Sequence, residues 1–226
     1  AARGRMSAAR VSFPGALRAT AFLLFQLVVT PLYAAAMLLM FWSPRLWTFA
    51  MARSWCGVNL WGAKWICGIR WHVDGLAHVP KDTLGQPHIV MSKHSSTWET
   101  LALTLFFPPL AYVAKKELLS IPFFGWGFAL ASPITIDRKA GTDAMHQIAA
   151  QGRERFKQGF WIVVYPEGTR IRAGTRAKYK TGGARLANAA ASRLVSVQTQ
   201  AADANSRVVG IGRDVESKPT GEVQHR

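Results

Sequence analysis

Cysteine and acidic residues are scarce in this sequence, and each shortage excludes something. Cys56 and Cys67 are the only two thiols in 226 residues. That is too few for a disulfide framework, so both are expected as free thiols packed among apolar, Trp-rich neighbours. The six His are scattered; none pairs with a Cys or a second His at ligand distance, and no metal site is expected. No Gly-x-Ser-x-Gly surrounds a serine, which argues against a serine nucleophile. Lys180-Thr181 precedes its glycines instead of following them, so there is no Walker A loop. No internal repeat is visible. Against 12 Asp and Glu stand 28 Lys and Arg, a formal net charge of +16. A charge of that size implies an anionic partner, leaving nucleic acid, a membrane surface and phosphorylated substrates open.

Apolar residues are plentiful, at 50% of the chain, which supplies a core and rules out a disordered polypeptide. The length suits one domain with a short appendage. Residues 1–18 carry Arg3, Arg5, Arg10 and Arg18 and no acid. An uncharged run follows from Ala19 to Trp42, long enough for a membrane helix, which needs roughly 20 apolar residues. A secretory signal peptide is the rival reading. The run is long for one and no convincing small-residue cleavage site precedes Pro44, so a retained anchor is expected. Pro31 should kink it, and a kinked span or a re-entrant hairpin would both fit. From Leu46 to Ile69, Trp47, Trp55, Trp61 and Trp65 stand among small and apolar residues with isolated cations, which suits a helix in the headgroup layer.

From Trp71 the texture becomes that of an α/β domain. His88–Met91, Ala111–Ala114, Pro133–Ile136 and Phe160–Tyr165 read as strands. Trp98–Phe107, Thr142–Gln158 and Ala184–Ala191 read as helices, the second with Met145, Ile148, Ala149 and Phe156 on one side. The alternation predicts a largely parallel sheet flanked by helices, preceded by N-terminal membrane-associated helices.

Three constellations carry the candidate chemistry, each at a strand's exit, so that one sheet edge would gather them. The first is Ser92-Lys93-His94-Ser95-Ser96-Thr97-Trp98-Glu99. A His in the strand-to-helix turn can meet a Glu in the first helical turn, which would fix its tautomer and leave the other ring nitrogen as a base. The same residues read as a Ser96-x-x-Glu99 capping box. The second runs from Lys115-Lys116-Glu117-Leu118 through Ile121-Pro122-Phe123-Phe124-Gly125-Trp126 to Asp137-Arg138. Its arginine can bind phosphate by two parallel N–H bonds or pair with Asp137. Its aromatic run is core packing or an apolar lip for an acyl chain. The third is Tyr165-Pro166-Glu167-Gly168-Thr169-Arg170, a tight turn whose glycine lets backbone N–H groups approach an anion. The basic residues after it, Arg172, Arg176, Lys178, Lys180 and Arg185, read as a solvated face or a membrane-surface patch.

In order and spacing, from about Trp71 to Ala190, these motifs resemble the glycerolipid acyltransferases, and within them the bacterial 1-acyl-glycerol-3-phosphate acyltransferases. The resemblance implies His94 as general base on the acceptor hydroxyl and Glu99 as the group that orients and charge-stabilises it. It implies Arg138, Glu167, Gly168, Thr169 and Arg170, with Lys115 nearby, as binders of the acceptor's glycerol phosphate. The donor would be acyl-CoA or acyl-carrier protein, the acceptor lysophosphatidic acid and the product phosphatidic acid, with no metal and no cofactor. The expected place is the inner (cytoplasmic) membrane, against its anionic surface, with the catalytic domain on the cytoplasmic face. Asp is commoner in the family at the Glu99 position, Asn before the His where Lys93 stands, and Phe where Tyr165 stands.

Two rivals remain. Another lysolipid, such as a lyso-ornithine lipid, could be the acceptor. A non-enzymatic membrane-tethered module binding anionic lipid or nucleic acid would interleave basic residues with exposed aromatics on one surface. Most Trp residues here belong to the membrane-proximal region and no nucleic-acid motif occurs, so no nucleic-acid partner is expected. The expected organisation is a basic segment (1–18), anchor and interfacial helices (19–70), an acyltransferase domain (71–191) and a divergent tail (192–226). The tail is expected to be mobile from about Ser196, because neither the apolar part of Ala191–Gln198 nor Val208–Ile211 is long enough for a strand buried on both faces. The sheet would then lack one or more family strands and the enzyme would be weak or inactive.

Overall fold

The computed structural model describes residues 13–79, 88–137, 143–171, 178–180, 183, 186, 193–203 and 206–211. The uncharged run forms helix α1 (Phe13–Leu39), which starts ahead of Ala19 and carries Pro31 inside it. The Trp-rich stretch forms α2 (Arg45–Trp65). Three side-chain bonds join them: Gln26 Nε2 to Asn59 Oδ1 at 3.1 Å, Trp55 Nε1 to Thr30 Oγ1 at 3.4 Å, and Tyr33 with Ser54 at 2.9 Å. Numbers rise along α1 as they fall along α2, so the helices are antiparallel. Gly62 permits the close approach, since a Cβ there would stand 2.7 Å from the Phe25 ring. Ala34 and Met37 near its end are buried, but much of α1 is bare: Leu23, Leu24, Leu27, Val28 and Leu32 are each more than half exposed. Cys56 is buried, and that burial pushes its thiol up to about 11, so it packs as a small apolar group.

The domain proper is a sheet of seven strands in the order β1-β7-β6-β2-β5-β3-β4. They are β1 (Arg70–Asp74), β2 (His88–Ser92), β3 (Leu110–Lys115), β4 (Ile134–Ile136), β5 (Trp161–Val164), β6 (Arg193–Asp203) and β7 (Ser206–Ile211). Every neighbouring pair is parallel except β6 with β7. Helices α3 (Trp98–Phe106), α4 (Phe124–Leu130) and α5 (Asp143–Lys157) flank it. The largely parallel sheet with flanking helices is the architecture expected. Ile89, Val90, Leu103, Ile134, Ile162 and Val163 are fully buried at its centre, each contributing roughly 1.5–3 kcal/mol of transfer free energy. Ile148, Ala149 and Phe156 of α5 join this core as its spacing predicts. The Ala184–Ala191 helix lies outside the described residues except at Leu186, which is helical and buried.

The C-terminal expectation is corrected. Residues 197–203 and 206–211 stay in the sheet: β6 lies between β2 and β7, and β7 runs beside β1. The domain therefore extends past Ala191 to at least Ile211, and both strands that the composition argued against are present. The rule applied there was too strict, because it supposes apolar residues on both faces. In β6, Val195 and Val197 are buried while Ser196 between them is exposed. One face is solvated, so alternation suffices. Residues 212–226 lie outside the described residues.

Candidate active site

Parallel strands carry their C-terminal ends to one edge of the sheet, and β2 and β5 are neighbours there. The chain leaves β2 at Ser92, and His94 follows in a short loop before α3. Glu99 stands in the first turn of α3 with its side chain 1% exposed, against 17% for His94. The His94 Nδ1–H donates to Glu99 Oε1 at 2.9 Å. A carboxylate can only accept, so the proton is on Nδ1 and the Nε2 lone pair is left unblocked by this bond.

Glu99 also takes the backbone N–H of Ser95 at 2.7 Å and that of Ser96 at 2.7 and 2.9 Å, together with the Ser96 hydroxyl. Glu99 thus holds the Ser96 backbone and the His94 ring at once, while the capping box is only half formed: Thr97 is the N-cap, and Ser96 Oγ accepts the N–H of Trp98 at 3.2 Å. Burial works to raise the Glu99 carboxyl, but the bonds from His94 and Ser96 outweigh it and hold the group below its usual value. It is an anion, fixed by the loop it fixes.

Leaving β5, the third motif wraps against His94. Gly168 N–H closes the turn onto Tyr165 O at 3.0 Å, and Gly168 adopts φ +70, a left-handed conformation that favours glycine. Ile171 N–H donates to His94 O at 2.8 Å. Glu167 is buried and does not face outward: its Oε2 accepts the His94 backbone N–H at 3.4 Å. The Tyr165 ring stacks on the His94 imidazole, centroids 4.0 Å apart and planes 19° from parallel. Its hydroxyl is bound to Thr100 Oγ1 at 2.8 Å, and burial keeps the phenol far above its ordinary value and neutral. The imidazole is therefore held at one nitrogen, on one ring face and at its own backbone. The stack and the Glu167 bond are contacts that local sequence reading misses.

The structure brings His94, Glu99 and Glu167 into direct contact, with Gly168 on the same turn. Thr169 and Arg170 follow it and are exposed. Lys115 ends β3, also exposed, one strand beyond β5. Neither Lys115 nor Arg170 has a carboxylate within ion-pair distance among the described residues. Arg138 lies outside the described residues. Among those described, no group of three or more His, Cys, Asp or Glu is arranged to hold a metal.

A buried His–Glu base beside unpaired cations at a parallel sheet's edge suits transfer chemistry on an anionic substrate. The acyltransferase family model matches residues 70–200, which includes every described group of the site. The chain belongs to the acyltransferase family. The 1-acyl-sn-glycerol-3-phosphate acyltransferase of Pseudomonas aeruginosa is 45% identical over 137 residues, covering 61% of this chain and 52% of that protein. The human 1-acyl-sn-glycerol-3-phosphate acyltransferase alpha is 33% identical over 135 residues, covering 59% and 47%. The chain thus spans about half the length of the curated relatives it matches. In fold, this chain is similar to the crystal structure of the 1-acyl-sn-glycerophosphate (LPA) acyltransferase of Thermotoga maritima. The TM-score is 0.73 at 18% identity, over 93% of this chain and 88% of that one. That likeness shows a shared overall fold.

Proposed function

We propose that the chain is a 1-acylglycerol-3-phosphate O-acyltransferase, moving a fatty acyl group from acyl-CoA or acyl-carrier protein to lysophosphatidic acid to give phosphatidic acid for phospholipid synthesis. The observation that carries this is the His94–Glu99 pair, with Nδ1 committed to the carboxylate and Nε2 left to act as base. His94 Nε2 takes the proton of the acceptor's free hydroxyl as its oxygen attacks the thioester carbonyl. Glu99 stabilises the imidazolium that forms. The tetrahedral intermediate collapses, the C–S bond breaks, and His94 returns the proton to the departing thiolate. Arg170 and Lys115 hold the acceptor's phosphate, with Thr169 and Arg138 in support. Gly168 keeps the turn tight enough to present them. Glu167 serves this site from within, through the His94 backbone.

The membrane would supply the acceptor. α1 is apolar and consistent with membrane association, and α4 packs on it through Gly127 at Ala34 and Met37. Beside α4 the exposed Ile121, Phe123 and Trp126 extend the apolar surface, and the sheet edge bearing Lys115 is reached from there within a few residues. This supports a site at the lipid surface; the Arg-rich N-terminal segment favours a cytoplasmic N-terminus, and antiparallel α1 and α2 return the chain to the same side, which favours the cytoplasmic face of the inner membrane. The test is a thin-layer assay of membranes carrying the protein, with labelled acyl donor and lysophosphatidic acid. Labelled phosphatidic acid that disappears with His94→Ala supports the reading. Label on another lysolipid alone, or no transfer, overturns it.

A further inference from the structure

Lys180 belongs to the basic stretch that reads from sequence as a solvated face or a membrane-surface patch. Its position is more specific than that. Its backbone N–H donates to Pro166 O at 2.8 Å, which docks the returning chain onto the Tyr165–Arg170 turn. Its side chain lies along Gly168: a Cβ built there would meet Lys180 Nζ at 3.0 Å, Cε at 3.2 Å and Cδ at 3.3 Å. The stem thus covers the one residue of the turn with no side chain, and the ammonium lies against Gly168, directly before Thr169 and Arg170 in the chain. Lys180 is exposed, and no carboxylate among the described residues pairs with it.

A lysine meant only for a diffuse lipid-surface patch has no need of a fixed place against a catalytic turn. We infer that Lys180 is a substrate-binding residue, placing a second cation beside Arg170 to hold a phosphate monoester, that of the lysophosphatidic acid acceptor. The inference rests on the function proposed above. Gly168 then has two reasons to be glycine, its positive φ and the path of the lysine stem.

The test uses Lys180→Met, which keeps the stem and removes the charge, and Lys180→Arg, which restores a charge. With the full chain in detergent, Lys180→Met should raise the acceptor KM roughly tenfold or more, the loss expected for one charged hydrogen bond. The donor KM should stay within about twofold and Lys180→Arg should recover most of the loss. A rise in the donor KM instead would assign the cation to the donor's phosphates and overturn the inference, as would an unchanged acceptor KM. A second measurement is independent of turnover: glycerol 3-phosphate should raise the thermal midpoint of the unaltered protein and do so much less for Lys180→Met. Equal shifts overturn the inference even if acyl transfer is found. A shift that depends on Lys180 upholds it as a phosphate site even if the unaltered protein acylates some other phosphorylated lysolipid.

Discussion

The two sides of the site are built in opposite ways. On the β2–β5 side the carboxylates are turned inward onto the catalytic loop: Glu99 takes His94, two backbone N–H groups and a hydroxyl, while Glu167 Oε2 takes the backbone N–H of His94. On the outer side, Lys115, Arg170 and Lys180 stand exposed, without a carboxylate partner among the described residues. The inner wall has its geometry before substrate arrives, as a base must if it is to meet a hydroxyl in one orientation. The outer wall has charge without partners, and a phosphate would complete it. Stability should reside in the first and substrate affinity in the second.

That division sets different expectations for substitutions on each side. His94→Ala should lower turnover by at least ~100-fold, the usual scale for losing a general base, and should also lower the thermal midpoint, since buried Glu99 loses a hydrogen bond and Tyr165 its stacking partner, with membrane association unchanged. Near-normal turnover would remove His94 from the mechanism. Glu99→Gln should slow turnover and also destabilise the fold by roughly 1.5–3 kcal/mol, since buried charged hydrogen bonds are lost. A denaturant melt of that variant matching the unaltered protein would show that the inner wall does not depend on the anion. Arg170→Ala should do the reverse, raising the acceptor KM about tenfold while the melt stays where it was. A large loss of stability there would mean that Arg170 is structural and that the two walls are not separate in kind.

How far the sequence could show this depended on where the contacts lie along the chain. β2, β3, β4 and β5 were legible because they are short apolar runs bounded by turn residues, the signature of strands buried on both faces. β1 was not: Arg70, His72 and Asp74 alternate with Trp71 and Val73, and an edge strand needs only that. α4 is too short, and too rich in Phe and Gly, to show a helical period. β6 and β7 were misjudged because alternation was discounted, although β6 does more than fill the sheet: Val197 O accepts the backbone N–H of Lys93, the residue before His94. Within the site, the His94–Glu99 pair was readable because it is local. The Glu167 bond to His94 spans 73 positions, and no local pattern announces it. Glu167 could be placed on the right turn from sequence, but not turned inward.

The smallest effect expected is in the pH dependence of stability, and it bears on whether Glu99 is charged in the folded protein. Its carboxyl is held below its usual value, with burial opposed and overcome by the hydrogen bonds from His94 and Ser96. A group whose folded value lies below its unfolded one binds fewer protons folded than unfolded over the interval between them. It stabilises the fold fully above the unfolded value, about 4.3 for Glu, and that contribution is lost as pH falls through the lowered folded value. The stability gap between the unaltered protein and Glu99→Gln should therefore be constant from neutral pH down to about 5 and narrow below about 4.3. Other carboxylates titrate in the same range, so the readout is the difference between the two melts at each pH. A gap that stays the same down to the lowest pH at which both fold would mean that the bonds to Glu99 do not need its charge. His94 would then be oriented by the wall but not electrostatically supported by it.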